Sequence, residues 1–256
     1  MLRIYEGHLR ARAASILISL EGRLDRIMQG WLLLAGLACA ARIATSPVRG
    51  PLDAGTIGPY LLLIVAPFAS MVLALRWFAE GDSLPQPTTR LARIGRWNNL
   101  GLNAAKQHPL YGANGIMVSL LIGMLINVPV RAAEYLAAMP ALTGHIPAWL
   151  STLNLLMTMD VVVFTSLYTV AFVAALRRVP LFPRLLAAIW ISDLAMQIVT
   201  AEIVAGTPGL PTKVAGALHA LLEGNVKKVL ISAALWLPYL LLSRRVNVTY
   251  RHRVAA

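Results

Sequence analysis

The longest apolar stretch of this sequence, Trp149–Leu176, reads WLSTLNLLMTMDVVVFTSLYTVAFVAAL, and its one charged residue is Asp160. A helix of about 20 apolar residues spans the roughly 30 Å of hydrocarbon in a bilayer, so this stretch is long enough to cross a membrane. The sequence predicts an all-α polytopic membrane protein with six transmembrane helices plus short amphipathic interfacial helices. The other five spans are expected at about Ile27–Ala44, Gly58–Leu75, Gly115–Leu136, Leu185–Ala205 and Val226–Leu242.

Composition and charge agree with a membrane protein. Hydrophobic residues make up 58% of the chain and charged residues 13%, with a mean hydropathy of +0.67, whereas soluble proteins average about 25% charged residues. The net charge is +12. If the N-terminus is cytoplasmic, 17 of the 23 Lys and Arg residues fall at the cytoplasmic ends of the spans. This split predicts that both termini are cytoplasmic and that the basic residues contact anionic lipid headgroups, not nucleic acid.

The spans and their connections divide the chain into four predicted regions. Residues 1–26 are expected to form an amphipathic cytoplasmic or interfacial segment, and residues 27–78 an N-terminal transmembrane hairpin. Residues 79–111 form a basic cytoplasmic connection. Residues 112–256 form a four-helix membrane unit that ends in a cytoplasmic tail.

Three amphipathic helices are expected outside the spans. The first carries an apolar stripe from Leu9 to Ile27 at steps of three or four residues, and it either lies in the headgroup layer or packs on the bundle. A second is expected between Arg90 and Lys106, where basic and apolar residues alternate. The third, Lys213–Glu223, is too short to cross the membrane and is expected on the outer surface or as a re-entrant helix.

The third span carries small and polar residues at steps of four. Gly115, Ser119 and Gly123 lie near one helix face, followed on the same face by Asn127 and Arg131. Small residues at this spacing allow another helix to approach closely. The sequence therefore predicts a helix-packing seam at the first three positions and a polar group near the outer side at the last two.

Charged and polar side chains within the spans are candidates for a site, because ionisable groups in the membrane are costly. The candidates are Asn127, Arg131, Asp160, Asp193, Gln197, Glu202, Lys227 and Lys228. Arg131 is the first candidate partner for both Asp160 and Asp193. Three alternatives stay open: internal salt bridges that fix helix register, a ligand, ion or proton site, and contact with a partner subunit.

The C-terminal half resembles the DUF2569 family of small bacterial inner-membrane proteins. The resemblance rests on Trp236-Leu-Pro238-Tyr239 in the last span and on the Ser243-Arg244-Arg245-Val that follows it, with Thr249-Tyr250 close behind and Phe182-Pro183 before the preceding span. It covers roughly residues 112–250. It implies a four-helix unit of unassigned function in the bacterial inner membrane, and no catalytic residues. Independently of the family, the aromatic and basic residues of this motif suit a kinked helix that is anchored at the headgroups.

No catalytic or cofactor-binding motif is recognisable in the chain. The single cysteine, Cys39, forms no intrachain disulfide, and the five histidines lie outside the span centres. The sequence favours a non-enzymatic accessory, assembly or regulatory subunit of a larger membrane complex, without a metal or other cofactor. The alternative is a small transporter or channel that uses the acidic and basic residues of the outer half.

Overall fold

The computed structural model describes residues 2–47, 53–88, 95–144 and 146–256, with side chains from residue 12 onward. These residues form helices and one small two-stranded antiparallel sheet, β1 (Trp97–Asn99) with β2 (Arg253–Ala255). The helices are α1 (Leu2–Glu21), α2 (Leu24–Thr45), α3 (Ala54–Trp77), α4 (Leu102–Gln107), α5 (Ile116–Ala138), α6 (Ala148–Leu176), α7 (Phe182–Ala205), α8 (Thr212–Leu242) and α9 (Arg244–Arg251).

Six of these helices, α2, α3 and α5 to α8, are long and apolar enough to cross a membrane. The chain is thus an all-α polytopic membrane protein, as predicted. Because the number of spans is even, the chain termini lie at the same end of the bundle, which we call the termini end. The expected span boundaries agree with the helices to within a few residues, except at the start of α8.

Helix α6 lies at the centre of the bundle. It packs against α3, α5 and α7, while α8 packs on α7, and α2 packs on α3 and α5. The last turns of α6, residues 171–176, are buried. Residues of α5 and α8 line a gap between these two helices.

Two apolar clusters hold the bundle together. One lies toward the termini end and contains Met71, Leu121 and Phe172. The other lies toward the opposite end and contains Tyr60 and Val161. Both include residues of α3, α5 and α6, so the N-terminal hairpin shares its packing with the remaining spans. The division into four regions stays a prediction.

Helix α1 packs on the bundle through one face. Ala13 and Leu17 are buried in the cluster at the termini end, together with Leu24 of α2. Ile16 and Ile18 are exposed on the other faces of α1. Of the two expected placements, the described part of α1 therefore adopts packing on the bundle.

The prediction of a separate helix at Lys213–Glu223 was wrong. These residues are the first three turns of α8, which continues to Leu242 without a break. Gly224 and Asn225 follow, and a single glycine costs only about 1 kcal/mol within a helix. Val214 packs on the apolar cluster at the opposite end and holds this extension against the bundle.

The prediction of a helix between Arg90 and Lys106 was also wrong for the residues of this stretch that the structure describes. Residues 97–99 form a strand that pairs with Arg253–Ala255, and α4 holds only the last portion. Gly95, with a φ of +89°, precedes the strand in a conformation that breaks a helix. Arg90 and Arg93 lie outside the described residues.

Candidate functional site

Arg131 of α5 joins three helices through two carboxylates. Its Nη1 donates to Oδ2 of Asp160 on α6 at 3.0 Å, and its Nη2 donates to both carboxylate oxygens of Asp193 on α7, at 2.9 and 2.7 Å. The side chains of Arg131 and Asp160 are 12% exposed and that of Asp193 is 0% exposed. The predicted pairing of Arg131 with both acids is therefore present.

We call Arg131, Asp160 and Asp193 the ion cluster. Polar and aromatic side chains surround it. Gln197, one turn after Asp193, donates from Nε2 to Oδ1 of Asp160 at 2.9 Å and to Oδ1 of Asp193 at 3.3 Å. The Tyr168 hydroxyl donates to Oδ2 of Asp193 at 3.3 Å, and the Arg131 guanidinium lies 4.9 Å from the centre of the Phe164 ring. Each of the four carboxylate oxygens accepts a hydrogen bond.

Asn225, Tyr168 and Phe164 were missed by the sequence analysis. Asn225 donates from Nδ2 to Oε1 of Gln197 at 3.4 Å and connects α8 to the ion cluster. The sequence did not place Asn225 within a helix, because one helix was expected to end at Glu223 and the next span to begin at Val226. A signal existed, since Asn225 precedes Ser232 by two turns and places two polar residues on one face of a span.

The remaining predicted charges lie apart from the ion cluster. Glu202 is exposed near the end of α7, and Lys227 pairs at 2.6 Å with Glu223 on its own helix. Lys228 pairs instead with Glu134 of α5. Arg42 of α2 donates from Nε to the carbonyl of Met139 at 3.1 Å.

The gap between α5 and α8 forms a half-open cleft of about 150 Å³, which we call the α5–α8 cleft. Its polar lining residues are Asn127, Arg131, Glu134, Asp193, Asn225, Lys228 and Ser232. Trp190 and Trp236 add apolar surface. The cleft reaches the ion cluster at its inner wall, because Arg131 and Asp193 both line it.

The predicted packing seam at Gly115, Ser119 and Gly123 was wrong within this chain. Ser119 and Gly123 are exposed, and no atom lies within 4 Å of the position that a Cβ on Gly123 would take. Gly115 precedes α5 with a φ of +70°. The larger residues of α5, such as Leu121, Met124 and Val128, face the bundle instead, because they bury more apolar area than small residues do.

The Trp236–Arg245 motif at the end of α8 makes several contacts at the termini end. Trp236 and Tyr239 pack edge to face with ring centres 6.0 Å apart, and Ser243 lies between α8 and α9. Arg245 donates to the carbonyls of Leu110 and Gly112 before α5, whereas Arg244 is exposed. Pro238 lies inside α8.

No family model, curated protein or solved structure matches this chain. The resemblance to the DUF2569 family thus stays a prediction. Within the described residues, no group of three or more His, Cys, Asp or Glu residues is arranged to hold a metal ion. The arrangement of the site is therefore the basis for a functional proposal.

Proposed function

We propose that this chain is a non-enzymatic subunit that assists, assembles or regulates a larger complex of the bacterial inner membrane. The observation that carries the proposal is the α5–α8 cleft, which exposes Gly123 of α5 beside a polar wall, with Ser119 exposed one turn earlier on α5. Small residues on a membrane span allow a second helix to approach closely. The partner in this proposal is a transmembrane helix that carries polar side chains.

The polar wall supports a protein partner in the cleft. The ion pair between Glu134 and Lys228 bridges α5 and α8, with side chains 38% and 59% exposed. Asn127 and Asn225 are also partly exposed along the spans. Polar side chains in a membrane face a protein interior or a water-filled cavity because lipid does not satisfy them. A partner helix with hydrogen-bonding side chains would cover them.

The buried charges favour a structural role for the ion cluster. Both carboxylates accept hydrogen bonds at each oxygen, and Arg131 donates to both. The cluster connects α5, α6 and α7 and therefore holds the inner wall of the cleft in place. Such a wall gives a partner helix a fixed surface on which to dock.

Gly123→Leu tests the proposal. No atom of this chain lies within 4 Å of the Cβ position at residue 123, whereas a partner helix packed on Ser119 and Gly123 would collide with a leucine there. We expect unchanged yield and unfolding temperature, together with loss of stoichiometric co-purification of a partner in mild detergent. Gly36→Leu in α2 is the matched control, since its Cβ position is equally free, and it should retain the partner.

Two outcomes would contradict the subunit proposal. One is a wild-type chain that purifies without a stoichiometric partner under conditions that preserve membrane complexes. The other is a Gly123→Leu chain that retains its partner as well as Gly36→Leu does.

Transport is a second candidate, favoured by the charge of the ion cluster. One arginine faces two carboxylates, which leaves a formal excess of one negative charge, and the cleft reaches Arg131 and Asp193. A proton or small cation would balance this charge. If transport is the function, Asp193→Asn should keep the fold and abolish cation or proton flux into proteoliposomes. Absence of flux with the wild-type chain would eliminate this candidate.

A further inference from the structure

A cavity rich in arginine lies at the termini end, away from the α5–α8 cleft. It measures about 320 Å³ and is bounded by the start of α7, the end of α9 with β2, and residues 86–88. We call it the arginine cavity. Its polar lining residues are Gln86, Thr88, Asn99, Arg184, Arg251, His252 and Arg253, and no Asp or Glu belongs to its described lining.

Arg251 is held in place but not fully hydrogen bonded. Its Nη1 donates to Oδ1 of Asn247 at 2.9 Å and to the carbonyl of Leu241 at 3.3 Å. Its Nη2 is buried and has no hydrogen-bond partner among the described residues. Burial, together with repulsion from Arg253 and Arg184, lowers the pKa of Arg251 to about 10. The guanidinium thus stays charged at neutral pH beside two other cations.

The other two arginines are supplied by fixed elements. Arg253 donates from Nε to Oδ1 of Asn247 at 2.7 Å, and its guanidinium lies 4.9 Å from the Trp97 ring centre. Arg184 is partly buried in the first turn of α7, directly after Pro183. The N-terminus of a helix carries a partial positive charge that adds to that of the arginine. Three cations therefore converge on one cavity before any ligand binds.

We propose that the arginine cavity binds a phosphate group. Guanidinium groups bind phosphate oxygens through paired, charge-assisted hydrogen bonds, and the planar fork of arginine suits this geometry better than lysine does. A pocket of roughly 300–1,000 Å³ is the usual size of a small-ligand site. The cavity lies at the end of the membrane spans, so the phosphate belongs either to an anionic lipid headgroup or to a soluble phosphate. This inference is independent of the proposed subunit function.

Thermal unfolding of the purified full chain tests the proposal in two arms. The first compares inorganic phosphate with sodium chloride at equal ionic strength, in detergent. The second compares nanodiscs of phosphatidylcholine alone with nanodiscs that also contain phosphatidylglycerol. A ligand present far above its Kd should raise the unfolding temperature by about 5 °C. A gain in both arms identifies a soluble phosphate as sufficient, and a gain with phosphatidylglycerol alone identifies a lipid headgroup.

Arg184→Gln is the informative variant, because no hydrogen bond of its side chain supports the fold among the described residues. It should lose most of the gain, and Arg184→Lys should keep part of it. Arg177→Gln removes the same charge from an exposed position outside the cavity and should keep the full gain. Equal responses of Arg184→Gln and Arg177→Gln would overturn the proposal. So would a wild-type chain that neither phosphate nor phosphatidylglycerol stabilises.

Discussion

Arg131 lies within a membrane span, where an unpaired charge is costly, and its two carboxylate partners come from different helices. An isolated charge at the centre of a span costs about 2.5–3.5 kcal/mol on insertion scales. This cost made the pairing predictable, because a cation and two acids within the spans lower it by pairing with one another. It did not predict Tyr168 or Asn225, because neutral polar residues need partners less strongly and many arrangements satisfy them.

Arg131→Ala should lower the free energy of unfolding by about 3–5 kcal/mol, because it leaves two buried carboxylates without their cation. Adding Asp193→Asn should recover part of this loss by removing one of the two charges. Lys227→Ala is the control, since its pair with Glu223 is exposed to solvent and contributes little to stability. Unfolding in detergent measures all three. Equal losses for Arg131→Ala and Lys227→Ala would show that the ion cluster does not stabilise the bundle.

His252 makes the stability of the C-terminal end depend on pH. Burial lowers the pKa of His252 below its ordinary value of 6.5, with Asp82 acting to raise it and Lys106 to lower it. The neutral ring is thus favoured in the fold. The stability that the neutral His252 ring contributes is complete above pH 6.5. It is lost as the pH falls through the lowered pKa that His252 has in the folded chain.

His252→Asn should reduce the loss of stability between about pH 7 and pH 5, because the asparagine does not titrate there. Asparagine also tolerates the left-handed conformation at this position, where φ is +46°. His219→Asn, on the exposed face of α8, is the control and should keep the wild-type pH dependence. Unfolding temperatures across this pH range provide the measurement. An unchanged profile in His252→Asn would remove His252 as its cause.

At the scale of elements, the six spans were predictable, but the start of α8 and the structure of the connection before α5 were not. Length and hydropathy identify a crossing helix because the bilayer sets one required thickness. The same criterion failed at Lys213–Glu223, since it does not reveal whether a polar segment continues into the adjacent span. The alternation of basic and apolar residues between Arg90 and Lys106 likewise failed at Trp97–Asn99, whose strand partner lies more than 150 residues later. Pairing at such distances leaves no local pattern.

The connection after α3 offers a test of local packing. A Cβ on Gly81 would lie 2.6 Å from the carbonyl oxygen of Arg177, a backbone atom that cannot move away cheaply. Gly81→Ala should therefore lower the free energy of unfolding by about 1–3 kcal/mol. Gly101→Ala, in the same connection, has no atom within 4 Å of its Cβ position and should cost less than Gly81→Ala. Equal stabilities of the two variants would show that the connection shifts to accept the methyl group.

At the scale of the molecule, six spans bring both termini to one end, but the helices alone do not say which side of the membrane that end faces. The 17-to-6 split of basic residues supports the proposal that it is the cytoplasmic side. The small residues of α5 illustrate the limit of sequence patterns at this scale. Their spacing indicates a surface suited to close helix packing, whereas the tertiary arrangement determines whether that surface is used inside the chain or left for a partner.

Single-cysteine labelling tests the orientation of the whole bundle. The native Cys39 is buried, so wild-type protein should remain unlabelled by a membrane-impermeant maleimide. Lys213→Cys, exposed at the opposite end, should be labelled on intact spheroplasts, whereas Ser83→Cys, exposed at the termini end, should be labelled only after lysis. Reporter fusions after Arg253 and within residues 140–148 give an independent readout. The reverse labelling pattern, or periplasmic activity of the C-terminal fusion, would invert the proposed topology and place the arginine cavity on the periplasmic side.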